Sequence, residues 1–313
     1  MKEQLESLNS VTINFGDGGM MIVNIILAFV MFGVALGIKP RTVKDVFKKP
    51  KSIIMGALLQ WLALPAVTFA VALALSPIIT PMIALGMILV ASCPGGNISN
   101  FLSSLSKGNI VLSVSLTALT TAMSPIITPI NFFFWGSMYS HFISIKSDIP
   151  MLVIPFFPML EQILLLLGLP IVLGLLFAHY FPSATKKIIK PAQVISVLLF
   201  VGMVVVSFTQ NFQIFIDNIF YVFFIVMLHN GVALATGYFG GKLSQLPRND
   251  IKSLTVETGI QNSGLGLILL FNHAIFPPET WHGHYGGMLF ITAWWGIWHI
   301  LSGLAVAYYF RRK

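Results

Sequence analysis

Residues 254–264 read LTVETGIQNSG and lead into an apolar run at residues 265–271. Glu257 is the only ionisable side chain from residue 254 to residue 271, and the length of the surrounding segment places it at membrane depth. A charge there is costly unless something pairs with it, so such a residue is by default a functional-site hypothesis. Residues 254–276 contain no Lys or Arg. The sequence therefore predicts a bound cation as the partner of Glu257; a protonated Glu, hydrogen-bonded inside a helix bundle, is the alternative.

The composition is that of a polytopic membrane protein. Of the 313 residues, 56% are hydrophobic and 9% are charged, whereas soluble domains carry about 25% charged residues. The apolar runs are about 20 residues long, the length of a membrane-spanning helix and not of a barrel strand. We therefore predict an all-α polytopic membrane protein embedded in the lipid bilayer. Cys93 is the single cysteine, so no intrachain disulfide is possible.

Nine transmembrane helices are predicted. They cover residues 20–38, 53–75, 82–105, 110–138, 158–179, 192–209, 219–241, 251–276 and 288–310. If the chain changes sides at each span, sixteen of the 18 Lys and Arg residues share one side, and only Lys2 and Lys146 lie on the other. By the positive-inside rule the basic side is cytoplasmic. We expect an external N-terminal tail at residues 1–19, a cytoplasmic C-terminus at residues 311–313, and no nucleic-acid partner, since the positive charge marks topology.

Two of the predicted spans are interrupted. Residues 92–100 read SCPGGNISN, and Pro94 removes a backbone donor while Gly95 and Gly96 disfavour helix. The eighth span carries Gly259 and Gly264 among polar residues. Broken backbone at membrane depth is tolerated only where it is buried in protein or lines a cavity. Because the interruptions fall at corresponding places in two halves that run in opposite directions, they predict an inverted repeat, with the fifth span as connector, and a transport site.

Oxygen-bearing side chains gather around these interruptions. A hard cation such as Na+ prefers oxygen ligands. Ser113 and Thr117 are four residues apart and therefore share a helix face. The other candidates are Gln60, Ser99, Asn100, Glu257, Gln261 and the unwound carbonyls of Thr258 and Ile260. A single Ser or Thr in a membrane helix more often bonds its own backbone or packs, so it is the set together with a carboxylate that indicates an ion site.

Asn97 and Asn262 suggest an anion site beside the cation site. Each stands near the point where a half-helix resumes after an interruption. Asn is a favourable N-cap, and the N-terminus of a half-helix carries a positive dipole end. Two such ends facing a cavity at the membrane midplane would favour an anionic substrate.

The segments CPGGNISN at residues 93–100 and ETGIQNSG at residues 257–264 resemble the two signature crossover motifs of the bile acid:sodium symporter family. The similarity extends over about residues 20–309 and includes residues 49–50, 228–231 and 298–299. It implies a core domain in which two broken helices cross, and a panel domain. On this chain the core would comprise residues 53–138 and 219–310, and the panel residues 20–38 and 158–210.

The resemblance also implies two sodium sites that share Glu257. The first would use Ser99, Asn100, Ser113, Thr117 and Glu257; the second would use Gln60, Glu257, Gln261 and the carbonyls of Thr258 and Ile260. Asn97 stands where the family often has Thr, next to the expected substrate cavity, and bacterial relatives often have ten spans where nine are predicted here. The implied substrate is an organic anion, either bile-acid-like or a small carboxylate such as pantoate, carried across a bacterial inner membrane.

The leading functional hypothesis is a sodium-coupled symporter that imports an organic anion by alternating access. A proton-coupled transporter of the same fold is the first alternative, with Glu257 as the titrating group. An anion channel or a receptor is the second alternative. No nucleophile elbow, P-loop or metalloprotease motif occurs in the sequence, so no enzyme activity is expected. The sequence carries no signal for an oligomeric state.

Overall fold

Apolar segments of this chain form helices because a bilayer offers no hydrogen-bond partner to free backbone groups. The computed structural model describes residues 2–10, 16–37, 50–146, 154, 156–209, 212–272, 275–276 and 285–312. Within these ranges the regular elements are helices, and five continuous helices are long and apolar enough to cross a membrane. The protein is therefore an all-α membrane protein; the total of nine spans stays a prediction.

Twelve helices are numbered here in chain order. They are α1 (Lys2–Glu6), α2 (Gly16–Leu36), α3 (Pro50–Leu75), α4 (Pro81–Ser92), α5 (Ile98–Leu105), α6 (Ile110–Lys146), α7 (Phe156–Tyr180), α8 (Pro182–Thr209), α9 (Phe212–Leu243), α10 (Arg248–Gly259), α11 (Ser263–Leu270) and α12 (Gly286–Arg312). A 3-10 turn, Ser7–Ser10, follows α1. The basic loop at residues 39–49, on which part of the predicted topology rests, lies outside the described residues.

Both predicted interruptions are confirmed. Helix α4 stops at Ser92 and α5 starts at Ile98, while α10 stops at Gly259 and α11 starts at Ser263. Helices α4 and α10 have 12 residues each, about 18 Å of helix, which is too short for a hydrocarbon core of about 30 Å. Each broken pair must therefore act as one unit.

Some predicted boundaries were wrong. The span predicted at residues 110–138 belongs to α6, which continues to Lys146. The span predicted to end at residue 276 ends with α11 at Leu270, because the carbonyl of Asn272 accepts from the N–H groups of both Ile275 and Phe276 and turns the chain. The segment predicted at residues 192–209 is the second part of α8, which begins at Pro182.

Helix α3 contains a π-helical turn at Leu59–Ala63, and its cause is visible in the sequence. Pro65 has no N–H, so the carbonyl four residues earlier, that of Trp61, loses its helical partner. The Asn131 amide of α6 donates to that carbonyl at 2.8 Å. The π turn contains Gln60 and thereby sets the direction in which this buried amide points.

Helices α2, α9 and α12 each have close helical neighbours. Helices α7 and α8 pack against α2, while α12 packs against α4, α9 and α11, and α9 packs along α10. Residues 82–92 of α4 are buried all round, as expected for a helix that is apolar on every face. Helix α10 is almost as deeply buried although it is polar, so its side chains must find partners inside the protein.

The N-terminal segment folds against the bundle. Leu5 and Leu8 are fully buried, and residues 2–10 contact α9 and α12. The Asn218 amide of α9 donates to the Ser7 hydroxyl at 3.1 Å. The interpretation of residues 1–19 as a tail missed this packing because two leucines make only a weak apolar pattern. The external position of the segment stays a prediction.

Candidate functional site

The two interruptions lie side by side and antiparallel. The N–H of Gly96 donates to the Ile260 carbonyl at 2.8 Å, and the N–H of Asn262 donates to the Pro94 carbonyl at 2.8 Å. Between them Gly95 and Gln261 form an antiparallel bridge. We call this junction, residues 93–97 and 260–262, the crossover. Each broken helix thus provides hydrogen-bond partners for backbone groups that the other leaves unpaired.

Close approach leaves little room for a side chain at either glycine of the crossover. A Cβ atom on Gly96 would lie 3.2 Å from the Gln261 carbonyl oxygen. A Cβ atom on Gly95 would lie 2.9 Å from Glu257 Oε2 and 3.3 Å from both polar atoms of the Gln60 amide. Any larger side chain at position 95 would therefore enter the space between these two polar groups.

Glu257 stands beside the crossover and is fully buried. Its Oε1 accepts from the Ser99 hydroxyl at 2.5 Å and from the Ser113 hydroxyl. The Thr117 hydroxyl lies 3.1 Å from Oε1 and 3.0 Å from Oε2. Within the described part of the chain, the carboxyl group meets neutral partners and no Lys, Arg or His. A buried carboxylate without a countercharge is unfavourable, so this geometry favours either a bound cation or a proton.

The hydroxyls around Glu257 also meet a second acceptor. Asn100 Oδ1 lies 2.9 Å from the Ser113 hydroxyl and 3.3 Å from the Thr117 hydroxyl. Each hydroxyl has one proton to donate, so Ser113 and Thr117 cannot serve Asn100 and Glu257 at the same time. Oxygen atoms outnumber the available protons here. These oxygen atoms fit a hard monovalent cation, which could be surrounded by the side chains of Ser99, Asn100, Ser113, Thr117 and Glu257.

A second group of oxygens also borders the crossover. Gln60 Oε1 accepts from the Gly95 N–H at 3.1 Å, and Gln60 Nε2 lies 3.4 Å from the Glu257 carbonyl. Gln261 Nε2 donates to the Thr258 carbonyl at 2.9 Å. The buried atoms Gln261 Oε1 and Thr258 Oγ1 have no hydrogen-bond partner among the described residues. Buried polar atoms are rarely left unpaired, so these oxygens also fit a cation.

The two predicted substrate residues behave differently. Asn262 caps α11, its Oδ1 accepting from the Leu265 N–H at 3.0 Å, as expected. Asn97 precedes α5, but its side chain makes no capping hydrogen bond and is exposed. The expectation that Asn97 caps its helix was wrong, because its own backbone is already helical (φ −57°, ψ −25°). Whether either side chain binds substrate stays a prediction.

Sequence reasoning missed a buried polar group at the start of α10. Asp250 accepts from the Ser52 hydroxyl at 2.6 Å and from the Asn109 amide at 2.7 Å, and the Ser253 hydroxyl donates to the Asn109 carbonyl at 3.0 Å. Asp250 precedes Glu257 by seven residues, two helical turns, and so lies on the same face of α10. The seven-residue spacing between Asp250 and Glu257 was the feature of the sequence that could have revealed this group. The group ties α10 to the start of α3 and to the loop before α6.

Comparison with known proteins gives consistent matches. Residues 24–218 match the Sodium Bile acid symporter family. An uncharacterized sodium-dependent transporter, YocS, from Bacillus subtilis (strain 168) is 30% identical over 291 residues, 93% of this chain and 83% of its own length. A match over 93% of the chain necessarily includes both interruptions, whereas the family match ends before the second.

More distant relatives carry more specific names. A probable chloroplastic sodium/metabolite cotransporter, BASS2, from Oryza sativa subsp. japonica is 30% identical over 80% of this chain, which spans 57% of that relative's length. The ileal sodium/bile acid cotransporter of Oryctolagus cuniculus is 26% identical over 82% of this chain and 71% of its own length. The names of these three relatives describe sodium-dependent transporters or sodium cotransporters, and none describes an enzyme.

Proposed function

This chain belongs to the sodium bile acid symporter family, and we propose that it is a symporter that uses Na+ entry to import an organic anion. Two Na+ ions would bind at the crossover. One would be held by Ser99, Asn100, Ser113, Thr117 and Glu257, and the other by Gln60, Gln261, Glu257 and the carbonyls of Thr258 and Ile260. The observation that carries the proposal is a fully buried Glu257 carboxyl group among oxygen atoms.

The substrate would be a small organic anion. Two Na+ ions on one carboxylate leave a net local charge of about +1, which a monoanion would neutralise. The N-terminus of α11, capped by Asn262, adds a positive dipole end. Since the relatives are named for bile acids or for metabolites, we propose a bile-acid-like molecule or a small carboxylate such as pantoate, with Asn97 and Asn262 at its site.

Transport would follow alternating access, in which a panel rocks against a core around a fixed site. Helices α2, α7 and α8 pack on one another and supply none of the proposed ligands, so they are the natural panel. We propose a bacterial inner membrane with the N-terminus outside and the C-terminus inside, as the Lys and Arg distribution indicates. Two Na+ ions and one monoanion together carry a net charge of +1 across the membrane, so the cycle would be electrogenic, driven by about 2.3 kcal/mol per charge per 100 mV.

Uptake by purified protein in proteoliposomes tests the proposal. Candidate anions, found by thermal shift with and without Na+ among bile salts, pantoate and other small carboxylates, would accumulate when Na+ is placed outside and K+ inside. Replacement of external Na+ by K+, or the Glu257→Ala change, should abolish accumulation. Undiminished uptake in K+ would exclude sodium coupling, and absence of saturable, gradient-driven accumulation would favour a channel or a receptor.

Proton coupling is the second candidate, because a bound proton would also remove the unpaired charge of the fully buried Glu257 carboxyl group. Thermal stability distinguishes the two mechanisms. Stabilisation by Na+ over K+ at fixed pH supports sodium coupling, whereas a pH response without ion selectivity supports proton coupling.

A further inference from the structure

Helices α9 and α10 approach each other unusually closely. A Cβ atom on Gly237 of α9 would lie 2.5 Å from the Leu254 carbonyl oxygen, and a Cβ atom on Gly259 of α10 would lie 2.3 Å from the Leu234 side chain. Small residues at both positions let the two backbones touch. Helix α9 is therefore well placed to act on the backbone of α10 just before the crossover.

The carbonyl groups at the end of α10 differ in their hydrogen-bond partners. The last four carbonyls of a helix that stops lack helical partners. The Val256 carbonyl still accepts from the Ile260 N–H at 2.9 Å. The Glu257 carbonyl has only long contacts, 3.4 Å to Gln60 Nε2 and 3.5 Å to Gln261 Nε2. These contacts leave this end of α10 able to adjust around an ion.

Gly259 is the exception, because its carbonyl accepts a short hydrogen bond from another helix. Asn230 Nδ2 of α9 donates to this carbonyl at 2.7 Å. The Ser302 hydroxyl of α12 donates to Asn230 Oδ1 at 2.5 Å. Because the Gly259 carbonyl can only accept, it faces the Nδ2 end of the fully buried Asn230 amide, and the Ser302 hydroxyl holds the Oδ1 end. Three helices thus converge on one peptide group.

We propose that Asn230 is a positioning residue for the carbonyl ligands of the second sodium site. Gly259 lies between Thr258 and Ile260, whose carbonyls are the proposed ligands, and glycine alone would let these peptide groups rotate freely. With the Gly259 carbonyl held toward α9, rotation of its two neighbours is restricted. Ile260 then leaves the helix (φ −118°, ψ 87°) with its carbonyl at the crossover. The inference rests on the proposed function.

The sodium dependence of uptake by Asn230→Ala tests the role. Loss of a group that orients a metal ligand typically weakens metal binding by 10–100-fold, and we expect the lower end, about tenfold, in the half-saturating Na+ concentration. The Hill coefficient for Na+ should fall toward 1, because only the second site is disturbed. Substrate KM at saturating Na+ should be unchanged. A merely structural role would lower the Tm and the maximal rate but leave the Na+ dependence as it is.

Two further variants keep the test decisive. Asn218→Ala removes another buried amide from α9, one that donates to Ser7, and should leave the half-saturating Na+ concentration unchanged. Ser302→Ala keeps the Asn230 amide but removes the hydroxyl that holds its Oδ1, and should shift that concentration in the same direction by less, about threefold. If Asn230→Ala does not fold, Ser302→Ala decides, and wild-type sodium dependence in it overturns the inference. Equal shifts in Asn218→Ala would also overturn it. Wild-type uptake that ignores Na+ would instead refute the proposed function.

Discussion

At the first interruption two glycine N–H groups donate to neighbouring oxygens, whereas the second interruption is flanked by a buried carboxyl group and a buried amide. Gly95 and Gly96 donate to the Gln60 amide and to the Ile260 carbonyl. The second interruption is flanked by Glu257 and by Gln261, whose Oε1 is unpaired among the described residues. Two similar breaks in the helices thus have complementary chemistry. Adding a side chain at the first interruption, or removing an oxygen ligand at the second, should therefore weaken the same proposed ion site.

The largest effect is expected for Glu257→Gln. The change preserves shape but removes the charge that would neutralise Na+, and loss of one partner of a buried ion pair costs about 3 kcal/mol or more. Na+ affinity should fall about 100-fold or more. The measurement is the Na+-dependent rise in Tm, together with uptake in proteoliposomes. Glu161→Gln, at an exposed position of α7, is the matched control; an equal loss there, or Na+ stabilisation that survives in Glu257→Gln, would contradict the assignment.

Gly95→Ala tests the first interruption in the opposite way, by adding a methyl group. Its Cβ would lie 2.9 Å from Glu257 Oε2, and overpacking of this kind costs about 1–3 kcal/mol. The half-saturating Na+ concentration should rise about tenfold, measured by Na+ titration of uptake. Gly202→Ala on α8 meets nothing within 4 Å and should behave as wild type. Normal sodium dependence in Gly95→Ala would mean that Gly95 does not border the ion.

The sequence predicts the interruptions well because their causes are local. Pro94, Gly95 and Gly96 oppose helix by themselves, and Glu257 is conspicuous in an apolar segment. The shared face of Ser113 and Thr117 follows from spacing alone, and the structure brings both to Glu257. These inferences needed no knowledge of distant contacts.

Other features depend on contacts far apart in the sequence and could not be predicted in this way. Asn230 meets a carbonyl 29 residues away, and Asp250 meets Ser52, 198 residues away. The burial of Leu5 depends on helices α9 and α12, near the other end of the chain. Asn97 has the composition of a helix cap, but the conformation of its own backbone decides that it does not cap.

Thr117→Val asks how far the oxygens around Glu257 act individually. Valine keeps the shape of threonine and removes the hydroxyl that lies near both carboxyl oxygens. One such contact contributes about 1 kcal/mol, so the half-saturating Na+ concentration should rise about fivefold. Thr120→Val is the control on the same helix, since its hydroxyl contacts only the Thr117 carbonyl at 3.3 Å. If both variants shift the Na+ titration equally, the hydroxyl of Thr117 is not a ligand.

The smallest effect on sodium is expected for Asp250→Asn, which removes the other buried acid on the same face of α10. Asp250 lies seven residues, about 10 Å along the helix, from Glu257. Asparagine offers one acceptor oxygen where Asp250 accepts from both Ser52 and Asn109, so one donor loses a charge-assisted bond of about 1.5–3 kcal/mol. The Tm should fall by about 3–12 °C, while the half-saturating Na+ concentration should stay within about twofold of wild type because no proposed ligand moves. Asp217→Asn, exposed on α9, should change neither quantity. A large shift in the sodium titration of Asp250→Asn would mean that charge anywhere along this face of α10 matters, and that the crossover does not define the ion site by itself.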